Sequence, residues 1–207
     1  MTRNNHPTIT LAITGASGAQ YGVRLLEYLI QAECQIFLLI SQAGRMVLRT
    51  ELDLDVPTRP IDIEGLFRQK FAALPHQIQV FGQRQWTAPI ASGSNVPQSM
   101  VICPCTTGTL GSIAAGLSSN LIERAAAVML KEQRKLILVV REMPLSVLNL
   151  ENMLHLARVG VVIMPASPGF YFKPQQVADL VDFVVSRILD HLAISHDLTP
   201  RWGLDDL

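Results

Sequence analysis

Residues 8–40 read TITLAITGASGAQYGVRLLEYLIQAECQIFLLI, and this stretch decides the fold. Residues 8–14 (TITLAIT) are apolar and β-branched, the pattern of a buried strand. GASGA at 15–19 interrupts the run, and residues 20–33 then place Leu25, Leu26, Leu29 and Ile30 at helical spacing. QIFLLI at 35–40 is a second strand. A strand, a glycine loop, a helix and another strand within about 30 residues form one βαβ crossover, which joins parallel strands.

The same alternation continues outward. The patterning predicts helices over 42–54, 121–133 and 146–158, and strands over 99–103 (SMVIC), 136–140 (LILVV) and 160–164 (GVVIM). Gly, Thr and Ser crowd 106–112, with a helix running through 115. Pro174 is placed to open the last helix, where its missing N–H costs nothing, and Val177, Leu180, Val181, Val184, Ile188 and Leu192 form its apolar stripe. Residues 55–97 are the least regular and hold five of the twelve prolines. Short patterned pieces at 63–73 and 78–81 make that segment an elaborated connection rather than a linker. The expectation is one α/β domain over 1–207, a mostly parallel sheet between helices, with 174–207 as C-terminal helix and tail. Ligands in such sheets bind beyond the carboxyl ends of the strands.

Composition narrows the function. Hydrophobic residues make up 49% of the 207 and charged residues 16%, against about 25% in average domains. A sizeable core is assured, and so low a charge suits a surface partly covered by copies of the chain. Lys plus Arg and Asp plus Glu are 17 each, so the basic surplus of a general nucleic-acid binder is lacking. No stretch reaches the ~18 uninterrupted apolar residues of a membrane span. Cys34, Cys103 and Cys105 are too few and wrongly spaced for a disulfide framework or CxxC chemistry. MTRNNHP at 1–7 lacks the apolar run of a signal peptide, and the setting expected is reducing and cytoplasmic. The histidines at 6, 76, 155, 191 and 196 have no HxH or HExxH spacing, so no metal site is expected.

The residues just after each strand carry the chemistry. Gly15-Ala16-Ser17-Gly18 is either an anion cradle at a helix N-terminus or an ordinary tight turn capped by Ser17; it is neither GxGxxG nor a P-loop. Ser41 ends the second strand. Thr106-Thr107-Gly108-Thr109 ends the third and offers three hydroxyls at a helix start, a second polar grip or a Thr-rich cap. Arg124 and Lys131, seven residues apart, share a helix face. Arg141-Glu142 follow the strand 136–140, and Arg187 lies beside the last helix's apolar stripe. Each basic residue alone reads as a solvated surface charge; four in a charge-poor chain strengthen the reading of a phosphate pocket without establishing it. Glu51 and Glu142 are candidate acid–base groups. Gly169-Phe170-Tyr171-Phe172 forms an aromatic turn that either closes the core or lids a site.

Several segments together resemble the flavin prenyltransferase family (UbiX/Pad type). They are GASGAQYGVRLLEYL (15–29), ASGS (91–94), CPCTTGTLGSIAAG (103–116), NLIERAAAVMLKEQRKLILVVREMPL (120–145), VVIMPASPGFYFKPQ (161–175) and PRWG (200–203). The resemblance implies a three-layer Rossmann-like, flavodoxin-type fold and a dodecamer. It implies that reduced FMN accepts a dimethylallyl group from dimethylallyl monophosphate without a metal. The product, prenylated FMN, would serve a UbiD-type decarboxylase, often in ubiquinone synthesis. By resemblance Gly15, Ala16, Ser17, Ser41, Thr106, Thr107, Gly108, Thr109 and Arg141 hold FMN. Tyr171, Arg187, Lys131, Arg141 and Arg124 hold the prenyl phosphate. Glu142 would protonate the leaving phosphate, Ser17 and Glu51 would relay a proton, and Trp202 would shield an allyl cation. Thr106 and Phe172 depart from a Ser and a His common in the family.

Two alternatives come from the same loops. An FMN-dependent cysteine decarboxylase would carry an active-site His and a PxMNxxMW-like segment, where this chain reads REMPLSVLNLENM. A non-catalytic FMN carrier would not need Glu51, Lys131, Glu142, Tyr171 and Arg187 together.

Overall fold

A computed structural model describes residues 7–201 and 203. The glycine-loop unit forms as β1 (Thr8–Ile13), α1 (Ala19–Gln31) and β2 (Gln35–Ile40). Then come α2 (Gln42–Leu52), α3 (Pro60–Phe71) and β3 (Ile78–Val80), so the proline-rich segment contributes a helix and an edge strand. β4 (Ser99–Cys105), α4 (Thr107–Ala114), α5 (Leu121–Lys131), β5 (Lys135–Val140), α6 (Val147–Arg158), β6 (Val162–Pro165) and α7 (Val177–Leu192) complete the chain. The strands make one sheet in the order β3-β2-β1-β4-β5-β6, every pairing parallel. This doubly wound α/β arrangement has the Rossmann-like order, reverses direction between β1 and β4, and there opens a crevice at the strands' carboxyl ends.

Two cores cover the sheet. One joins Leu25, Leu29 and Ile13 to Val184 and Ile188 of α7. The other joins Leu39, Ile102 and Leu138 to Leu110 and Met129. Strands with both faces covered are near-continuously apolar, and the five buried residues ending β1, β2 and β5 have that form.

Several boundaries move by one to three residues: α2 and α5 stop two residues early, at Leu52 and Lys131, and β6 spans 162–165 rather than 160–164. The last helix begins at Val177, not Pro174: Gln176 and Asp179 close a capping box, and Lys173 turns the chain at φ 54°. β4 runs two residues past 103, with a register shift between Ile102 and Cys105. Cys103 and Cys105 are therefore core residues. Burial pushes both thiols up, Cys105 to about 12, which leaves them poor nucleophiles. No helix among the described residues is long and apolar enough to cross a membrane.

Gly22 sets the approach of α1 to the sheet, because a Cβ there would lie 2.3 Å from the Cys103 carbonyl oxygen. Backbone cannot yield as a flexible side chain can. Gly22→Ala is expected to destabilise by about 1–3 kcal/mol, read by chemical denaturation with FMN absent.

Candidate functional site

The first loop is organised by Glu51, from the end of α2. Its carboxylate accepts the Gly18 N–H at 2.9 Å and the Ala19 N–H at 2.9 Å. Of the two readings of this loop, the turn capped by Ser17 does not hold: Gly18 takes the N-cap position in left-handed backbone at φ 101°, without a side-chain bond, and the cap comes from 33 residues away. The helix dipole favours a negative charge there. Burial opposes ionisation of Glu51, but bonds from the Ser17 hydroxyl and the Ala19 and Gly18 amides, with the Arg141 charge, outweigh it and hold the carboxyl below its ordinary range. Arg141, at the end of β5, donates from Nε to the Ser17 carbonyl at 3.1 Å. Ser17, Glu51 and Arg141 thus meet across the mouth of one cleft, with Tyr21 and Ala166 as further walls.

With the α1 terminus filled by an internal carboxylate, α4 is the anion-ready terminus. Thr106 caps it, accepting the Thr109 N–H at 3.1 Å and donating to the Thr109 hydroxyl at 2.8 Å. The Thr107 and Gly108 amides stand in the first turn, where a helix supplies no acceptor. A Cβ on Gly108 would meet nothing closer than 4.0 Å, so the approach is open. Ser41 caps α2 by accepting the Gly44 N–H at 2.8 Å. Gly15 packs against that turn: its Cβ would fall 2.4 Å from the Ala43 Cβ. Glu142 faces the Thr107 hydroxyl at 3.4 Å. Thr14, which the sequence reading passes over, ties the two loops together. Its buried hydroxyl donates to the Pro104 carbonyl at 2.7 Å and accepts the Thr106 N–H at 2.9 Å.

A second cleft adjoins the first around the end of β6, where Ala166 lines one and Ser167 the other. Its wall carries Phe183 and Arg187, one turn apart on α7. Tyr171 packs edge-on against Phe183, with centroids 5.8 Å apart, and Phe172 stacks on Phe183 at 5.4 Å. Phe172 therefore serves as apolar support for the tyrosine.

Arg124 and Lys131 do not join this group within one chain. Arg124 Nε donates to the Ala91 carbonyl at 2.9 Å. Lys131 pairs with Glu132 at 3.0 Å and flanks Gly93. Both lie over the 89–95 segment, the shared face their spacing predicts. Lys131 ends α5 four residues before β5 begins, at the amino edge of the sheet. The length of β5, about 20 Å, separates that edge from Arg141. Trp202 lies outside the described residues.

The family model described as Flavoprotein matches residues 1–189, which carry this doubly wound sheet and the hydroxyl-lined loops at its switch point, and so places the chain among flavoproteins. Flavin prenyltransferase UbiX of Pseudomonas aeruginosa is 56% identical over 195 residues, 94% of this chain and 93% of the relative. That of Halalkalibacterium halodurans is 48% identical over 194 residues, covering 94% and 92%. The chain belongs to the UbiX flavin prenyltransferase family. Among solved structures, AnUbiX in complex with FMN and dimethylallyl pyrophosphate superposes at a TM-score of 0.86, with 35% identity over 98% of this chain and 100% of that one. A dodecameric FMN-dependent UbiX-like decarboxylase from Escherichia coli O157:H7 superposes at 0.82, with 38% identity over 95% and 99%. An FMN-dependent cysteine decarboxylase and the FMN-binding protein AtHal3 share 16% and 15% identity, which marks a common fold alone.

Proposed function

We propose that this chain transfers a dimethylallyl group from a dimethylallyl phosphate to reduced FMN, giving prenylated FMN. The observation that carries the reading is the Glu51 carboxylate, held by the Gly18 and Ala19 amides in one cleft with Ser17 and Arg141, beside the open, hydroxyl-lined start of α4. The amides of Thr107 and Gly108 and the Thr106 and Thr109 hydroxyls suit the FMN phosphate, with Ser41 adjoining. Gly15, Ala16, Ser17 and Arg141 would border the ring. Reduced FMN supplies the electron-rich ring that accepts the prenyl group.

Arg187 and Tyr171 would bind the donor phosphate in the second cleft. Cations there stabilise the charge that grows on the leaving phosphate, the service a metal gives elsewhere. Glu142 would deliver a proton to the phosphate from its carboxyl oxygen. The Glu51 carboxylate, through the Ser17 hydroxyl, would take the proton released on ring closure.

Lys131 and Arg124 would enter this site from a second copy. α6 has 12 residues and buries only Leu156. Met143, Val147 and Leu148 are 87%, 69% and 69% exposed, with Leu150 and Leu154 alongside, and they begin directly after Glu142. An apolar face of that kind needs cover, and a copy of the chain, as in the dodecameric relative, is the cover proposed. A cytoplasmic setting and a UbiD-type decarboxylase as recipient complete the proposal.

The test is anaerobic incubation of protein with FMN, dithionite and dimethylallyl monophosphate, then mass spectrometry of the released flavin. A gain of one C5 unit is expected. No gain with either the monophosphate or the diphosphate overturns the reading.

A further inference from the structure

Asp190, on the last turn of α7, collects three partners and has no place in the chemistry above. Its Oδ2 accepts Arg187 Nη1 at 2.7 Å. Its Oδ1 accepts Arg201 Nη1 at 2.6 Å and lies 3.1 Å from His196 Nε2. His196 Nδ1 accepts the Leu198 N–H at 3.4 Å, and its Nε2, beside Asp190, also lies 3.3 Å from Arg201 Nη2, so the ring sits between the carboxylate and the guanidinium. The His196 side chain is only 1% exposed. Thr199 adds a hydroxyl bond of 3.2 Å to buried Ser186, so the segment after α7 is fastened along the helix. Burial opposes ionisation of Asp190, and the Arg201 and His196 contacts more than offset it.

The geometry at Arg187 is the telling part. A guanidinium offers a rigid fork of donors, and its Nε and Nη2 edge binds two oxygens side by side. Arg24 uses that edge on Asp182, at 2.7 and 3.0 Å. Asp190 instead takes Arg187 by Nη1, and among the described residues the Nε and Nη2 edge of Arg187 stays open. A carboxylate that holds a guanidinium by its spare nitrogen fixes the plane of the fork without occupying it.

We propose that Asp190 is a positioning residue for the prenyl-phosphate site. It aims the open edge of Arg187 at two phosphate oxygens and ties the C-terminal segment through Arg201 and His196 to the same carboxylate. This rests on the reading of Arg187 as a phosphate ligand.

Steady-state kinetics of the FMN-loaded oligomer test it, with dimethylallyl monophosphate varied and FMN affinity measured in parallel. Asp190→Asn is expected to raise the KM for the phosphate about tenfold, with a smaller change in kcat and unchanged FMN affinity. Asp190→Glu keeps the charge one methylene farther out and should move KM the same way by less. It carries the test if the Asn variant does not fold. In an Arg187→Ala background, Asp190→Asn should add nothing further to KM, whereas a merely structural role would add its full cost. If Arg187→Ala raises KM and a folded Asp190 variant does not, the positioning role is overturned alone. If Arg187→Ala leaves KM unchanged, the phosphate-ligand reading falls, and the positioning role with it.

Discussion

Glu51→Gln is expected to lower product formation by about 10²–10⁴-fold while FMN still binds. The amide oxygen of glutamine can still accept the Gly18 and Ala19 N–H groups, so the first turn of α1 keeps its cap. What disappears is the negative charge and the ability to take a proton from the Ser17 hydroxyl. Mass spectrometry should show unmodified FMN, or a flavin carrying the C5 unit without ring closure. A carrier that merely delivers flavin would be indifferent to this substitution, so full activity in the variant would revive that reading. The pH dependence follows from the direction of the Glu51 shift. Its folded pKa lies below the unfolded value. The ionised form therefore persists below the ordinary carboxylate range, and stability from its amide bonds is present above the unfolded pKa and lost as pH falls through the folded one. Wild-type activity should hold until the pH falls through that lowered pKa, and this acid limb should be missing from the residual rate of Glu51→Gln.

Much of this was legible from residues 8–40, because strand and helix periods differ and one glycine loop separates them. The fold needed no more than that alternation repeated. The carboxyl-edge rule, applied to that alternation, points to the loops at 15–18, 41, 106–109 and 141–142. The role of Glu51 as cap of α1 was not legible. It reaches its amides across 33 residues, and no spacing pattern encodes a contact between the end of one helix and the start of another. Ser17 as cap, one of the two readings of the loop, fails for that reason. Thr14 was hidden at the end of the run TITLAIT, where it looks no different from Thr8 and Thr10 although it stands just past β1. The edge strand β3 falls inside the patterned piece at 78–81, but three residues among prolines are too few for a period to name them a strand. Arg124 and Lys131 were correctly placed on one face of α5, but a helical period says which residues share a face and nothing about which site that face meets. The same limit hid Asp190: three residues at 187, 196 and 201 converge on it only because the chain turns back after α7.

The separation of Lys131 from Arg141 makes the second large prediction. Lys131→Ala and Glu51→Gln should each abolish most prenyl transfer, yet a mixture of the two variants, dissociated and reassembled together, should recover activity. If both groups of a site came from one chain, every site in the mixture would still lack one of them, and recovery would be nil. If Glu51 comes from one chain and Lys131 from another, random assembly gives about a quarter of the sites both groups intact. Recovery should therefore approach that fraction of wild-type rate and should require mixing before assembly. The face that would carry the contact supplies its own control. Leu148→Asp sets a charge into the exposed stripe after Glu142, so it should break the oligomer on size-exclusion chromatography and lower the rate by at least about tenfold, though no residue of the flavin cleft has changed. Loss of the oligomer with activity retained would show that one chain suffices, and the amino-edge lysine would then have no part in catalysis. Recovery by mixing together with inactivation by Leu148→Asp has one physical explanation: the sheet's carboxyl edge holds the flavin half of the site, and a neighbouring chain brings its amino edge to complete it.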